Sequence, residues 1–187
     1  PFYDSWINFK VYDTNILNVN DCVLENPKIV YKIKDILQRK IDVLFTQFSY
    51  ANFINEEDQK TKAIRQLEKI KIQDKVLNPT YIIPFASFVY FSHQENKYMN
   101  ENINSIKDAY NYLNKNCKSK SIILSPNEEW NFKNKDNEKS LNFWDDKYIN
   151  INNMDFTPTT KTYSSGELII EGNKYIDRIK KKKNFFL

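Results

Sequence analysis

Apolar and polar residues alternate along Trp6-Ile7-Asn8-Phe9-Lys10-Val11-Tyr12, the period of a half-buried strand. Asp13-Thr14-Asn15 supplies turn residues. Ile16-Leu17-Asn18-Val19 reads as a second strand that stops at Asn20-Asp21-Cys22. Pro27 opens a helix, with Ile29, Ile33, Ile36 and Leu37 on one face. Residues 41–47 form a buried strand running into the loop Phe48-Ser49-Tyr50-Ala51-Asn52. The acidic stretch Asn55-Glu56-Glu57-Asp58 is expected to cap a long helix that carries Ile64, Leu67, Ile70 and Leu77 and ends before Pro79. Residues 80–83 read as a strand that enters an aromatic loop ending on His93, the only histidine. Ile103, Ile106, Ala109, Tyr110 and Leu113 recur at helical spacing, and Ser121-Ile122-Ile123-Leu124 is a buried strand. Strand, helix, strand, helix, strand, helix, strand is the signature of βαβ units, so the fold class is α/β.

Beyond Pro126 the periodicity dissolves. Trp130, Phe132, Phe143 and Trp144 sit among Asn, Lys and Asp, and residues 126–162 read as a long loop packed by its aromatics. Helical pattern returns at residues 167–183, weakened by Gly172. The chain thus divides at residues 1–125 and 126–187.

Composition narrows the function. A length of 187 residues suffices for one domain with a real core. Only two glycines are present, and neither GxGxxG nor GxxxxGK(S/T) occurs, so a Gly-built phosphate cradle is excluded. The net charge of +4 is concentrated in Lys180-Lys181-Lys182-Lys183, read as a solvated helix end; nucleic acid is not the expected partner. Cys22 and Cys117 form no CxxC pair, which points to a reduced, cytoplasmic protein. No apolar run is long enough to span a bilayer. The first residues enter strand-like sequence directly from Pro1, and the chain is expected to be a fragment of a longer protein.

Sites in α/β sheets gather where strands end and loops begin. Asp21 closes one strand; it is a turn or capping residue or a carboxylate aimed into a cleft. His93 is a structural loop residue or a ligand. Ser49 has no GxSxG turn, so serine-hydrolase chemistry has little support.

Three segments carry a resemblance: residues 18–22, NVNDC; residues 45–52, FTQFSYAN; and residues 84–93, PFASFVYFSH. In this order, over residues 1–125, the chain resembles the second half of a metallo-β-lactamase-fold protein. The branch is the one resembling CMP-N-acetylneuraminate hydroxylase. The resemblance implies an αββα sandwich, of which this is the C-terminal half, with a zinc or iron site at the sheet edge. It implies that Asp21 bridges the metals and His93 holds one of them. Gln47, Ser49, Tyr50, Asn52, Phe85 and Tyr90 are then expected to line the mouth for a nucleotide-sugar, phosphodiester or lactone substrate. Two departures stand out. Pro84 occupies the place where related hydrolases carry a ligand histidine, and no HxHxDH motif precedes Asp21. The metal site in this chain is therefore incomplete, and the missing N-terminal half is its expected partner. The CxH and CxxH pairs of a Rieske cluster are also missing. The competing reading is a non-catalytic module that binds through residues 130–163 and the basic tail.

Overall fold

The computed structural model describes residues 5–20, 22, 24–52, 55, 58–151, 153–158 and 162–183. In chain order the elements are β1 (Ile7–Val11), β2 (Thr14–Asn18), α1 (Pro27–Leu37), β3 (Val43–Gln47), α2 (Gln59–Leu77) and β4 (Tyr81–Phe85). A 3-10 helix (Lys97–Asn102) follows, then α3 (Ile106–Asn116), β5 (Lys120–Ser121), α4 (Glu138–Ile151) and α5 (Ser165–Lys183). The fold is α/β.

The sheet order is β1-β2-β3-β4-β5. The hairpin β1–β2 is antiparallel, with Val11 opposite Thr14 across a two-residue turn. β2 to β5 are parallel. Each parallel strand lies beside its successor, and right-handed crossovers between adjacent strands put every connecting helix on the same face. Leu17, Leu44, Ile82 and Ile123 point to that face and pack with Val30, Ile33, Leu67, Ile70, Ile106 and Leu113 in the main core.

The other face has no helical layer from α1–α3. Val43, Ile83 and Ile122 are buried there, with Trp130 packed over them. Trp130 meets the Tyr81 ring edge-on at 4.8 Å. This cover stops short of the hairpin. Phe9 is paired with Ile16 and so shares its face, yet Ile7, Phe9 and Val11 are 49%, 48% and 50% exposed.

The helix boundaries follow from local chemistry. Asn26 caps α1 by accepting a hydrogen bond from Lys28 N–H, and Pro27 stands in the first turn. Ser105 and Asp108 form a reciprocal capping box at α3. Asp58 stands at the N-cap of α2, as the acidic stretch leads one to expect, but with helical backbone angles and no side-chain hydrogen bond to the first turn. Glu56 and Glu57 lie outside the described residues. Glycine's usual left-handed role passes to Gln38 and Asn78, which end α1 and α2 at φ 48° and 50°.

Residues 126–162 are not simply a loop, because α4 forms within them. Leu141, Trp144 and Tyr148 recur at helical spacing and pack against the main core. Their aromatic anchoring is as expected: Trp144 stacks on Phe88 at 3.8 Å and its indole N–H donates to the Leu124 carbonyl.

Candidate functional site

The ends of β2, β3 and β4 meet at one edge. Past its regular pairing, β2 stays beside β3: Val19 N–H donates to Phe45 O, and Gln47 N–H donates to Asn20 O. Asn20 adopts φ 42°, a left-handed conformation that asparagine tolerates. Asp21 itself lies outside the described residues. Its neighbour Cys22 is buried and donates through Sγ to Ser5 O at 3.3 Å.

The loops after β3 and β4 are joined by one hydroxyl. Ser87 Oγ accepts from Phe48 N–H at 3.2 Å and Ser49 N–H at 3.0 Å, and donates to Ser49 O at 3.1 Å. Asn104 closes the other side. Its backbone N–H donates to Ser49 Oγ, and its amide donates to Phe48 O and Ala63 O. The Phe48 and Phe88 rings meet edge-on at 5.1 Å. Ala86 sits between β4 and Ser87 at φ 60°, an unusual angle for alanine, and so aims Ser87 inward.

The expected mouth residues separate into three groups. Gln47 and Phe85 are paired across β3 and β4, with the Phe85 ring edge-on to Phe45 at 5.3 Å. Ser49 and Tyr50 are buried, and their polar atoms serve the fold. Tyr50 Oη donates to Met99 O at 2.7 Å, and burial pushes its phenol up to about 12. Asn52 and Tyr90 are exposed.

His93 is also exposed, further along the β4 loop. Its backbone N–H donates to Asn96 Oδ1, and it forms an isolated parallel bridge with Thr157. Among the described residues, no three His, Cys, Asp or Glu side chains gather closely enough to hold a metal ion. Burial and Asp74 together push the Cys117 thiol up to about 12, which keeps it protonated at neutral pH.

Two further features carried no signal in the sequence. A cleft of about 630 Å³ runs between the 3-10 helix and the end of α4, lined by Tyr98, Asn100, Glu101, Ile103, Tyr148 and Phe156 among others. Below β5, Glu128 accepts from Ser125 N–H, Ser125 Oγ–H and Ser140 Oγ–H, and pairs with Lys135. Burial pulls its carboxyl up, but Lys135, Ser125 and Ser140 outweigh it and hold the carboxyl at about 2. A carboxyl lowered from 4.5 contributes stability that is complete above pH 4.5 and is lost as pH falls through about 2. At about 1.4 kcal/mol per unit, the loss on acidification is about 3 kcal/mol. Glu128→Gln is expected to remove most of this acid-dependent loss, read from urea midpoints between pH 5 and pH 2.

No family model matches the chain, and no curated protein sequence matches it.

Proposed function

We propose that this chain is the C-terminal half of a metal-dependent hydrolase of the metallo-β-lactamase fold, in the hydroxylase-like branch, and is inactive alone. The observation that carries the reading is the one-sided sheet. Connecting helices cover one face, while the hairpin leaves Ile7, Phe9 and Val11 in solvent on the other. Apolar sheet faces need a covering layer. In an αββα sandwich a second sheet provides it. The joining of the β2, β3 and β4 ends at one edge supports a site there, with Gln47 and Phe85 beside it.

Asp21 and His93 would be this chain's contribution to a zinc or iron centre. When bound, such an ion would activate water for attack on a nucleotide-sugar, phosphodiester or lactone. The remaining donors would come from residues outside this sequence, so no catalytic step is assigned to the chain alone. Ser87 and Asn104 would hold the loops in place, and Tyr50 would keep its proton throughout. The absence of a CxxC pair in the sequence fits a reducing, cytoplasmic setting.

The isolated chain is expected to self-associate in sedimentation velocity, and Ile7→Thr, Phe9→Thr and Val11→Thr together to reduce that association. After loading with zinc and dialysis it should retain well under one ion per chain. A monomeric, cooperative melt with no binding of a hydrophobic dye would overturn the half-sandwich reading. Stoichiometric metal would show that the ligand set is more complete than Asp21 and His93.

A further inference from the structure

Every described side chain of α5 is exposed, a rare condition for a 19-residue helix that is rich in isoleucine. Leu168, Ile169, Ile170, Tyr175, Ile176 and Ile179 are each 43% to 63% exposed. At 3.6 residues per turn, all of these but Ile170 fall with Gly172 inside an arc of about 120°. Ordinary surface helices turn such a stripe to a core. This one meets no core among the described residues.

Charge indicates what covers it. Six basic and three acidic side chains leave the helix at +3. The excess lies in the sequence of the last two turns, which carries Arg178 and lysines 180–183 against the single acidic residue Asp177. Lys180 borders the apolar arc on one side; on the other lie Glu171, which pairs with Lys174, and beyond it Arg178. Lysine and arginine there also suit the helix dipole, but a dipole needs no apolar stripe beside it. Nucleic acid would use the basic end and ignore the isoleucines. A protein groove would favour a protruding central anchor, whereas the stripe has Gly172 at its middle, with nothing within 4 Å of a built Cβ.

We propose that α5 is a peripheral membrane element that lies flat in the headgroup region of an anionic bilayer, with its isoleucines inserted and its basic residues on acidic lipid heads. It is not a span: no helix among the described residues is long and apolar enough to cross a membrane. The inference rests on α5 alone and does not depend on the metal-hydrolase reading.

Flotation of the full chain with phosphatidylcholine vesicles, with and without phosphatidylserine, tests it. Flotation separates lipid binding from self-association, which does not carry protein upward. The chain should float only with phosphatidylserine present and be released by salt. Ile169→Asp with Ile176→Asp should lower partitioning about tenfold or more. Lys180→Gln and Lys181→Gln should each lower it about fivefold. Gly172→Leu should raise it, because it fills the stripe and favours the helix. No flotation at low salt would overturn the proposal. So would flotation that ignores the isoleucine substitutions, or binding that Gly172→Leu abolishes; the last outcome is that of a shaped protein groove. All these positions are exposed, so unchanged far-ultraviolet circular dichroism is expected in each variant.

Discussion

Asp74→Ala is expected to lower the unfolding free energy by about 3–5 kcal/mol, the largest single effect among the side chains considered. Asp74 is buried near the end of α2. Its carboxylate accepts from Lys118 N–H at 3.0 Å, Ser119 N–H at 3.2 Å and the Ser119 hydroxyl. Alanine leaves two backbone donors in the turn before β5 without their acceptor. An orphaned buried donor costs about 1–3 kcal/mol; the Ser119 N–H is buried and the Lys118 N–H part-buried, and both lose a charged acceptor. The Ser119 hydroxyl can give its single proton to Pro79 O once the carboxylate is gone, which limits the loss. Urea midpoints give the magnitude. Hydrogen exchange gives the location, with faster exchange expected at the Lys118 and Ser119 amides and the β2–β3–β4 loop edge unchanged. A loss below about 1 kcal/mol would mean that water replaces the carboxylate.

Ser87→Ala is expected to cost about 2–4 kcal/mol, and its damage falls at the opposite edge of the sheet. One hydroxyl serves three bonds there, all buried. Without it, Phe48 and Ser49 lose the acceptor for their N–H groups, and the β3 loop separates from the β4 loop. Exchange at those two amides should speed up most. Asn104→Ala should loosen the same loops, since it removes the side-chain amide that donates to Phe48 O and Ala63 O. Ser87→Ala with Asn104→Ala should therefore fall well short of additive. Ser87→Ala with Asp74→Ala share no partner and should add within about 0.5 kcal/mol.

Much of the fold is legible in the residue pattern because the signal is local. The run from β2 to β5 alternates periods of two and 3.6 residues, with Pro27 at one boundary and Asn78-Pro79 at another. α4 was harder to see. Ser140 is its only buried residue among those described, and the Leu141, Trp144 and Tyr148 spacing is diluted by Asn, Asp and Lys. The acidic stretch before α2 marked the N-cap, Asp58, but could not show whether its side chain bonds to the first turn, which it does not.

The candidate site was less legible. Phe85 and Gln47 come together because strand register puts them together, and register follows from the pattern. Ser49 and Tyr50 look like mouth residues in sequence, since a polar atom at a strand end can face either way. Here both atoms face inward, to Asn104 and Met99. Ser87 and Asn104 carried no signal at all. A serine or asparagine matters at these points because of partners 38 to 56 residues distant, and no short window contains them.

The sequential strand order has a consequence for how the protein is made. β1 pairs with β2, β2 with β3, β3 with β4 and β4 with β5, so no strand waits for a distant partner. The packed helices follow the same order, α1 on α2 and α2 on α3. A chain emerging from the ribosome can therefore add one strand-and-helix unit at a time to a growing edge. Such short-range pairing avoids the entropy of closing long loops. Each arrested nascent length ending after α1, α2 or α3 has a sheet one strand shorter than the next, and protease resistance should advance in steps along that series.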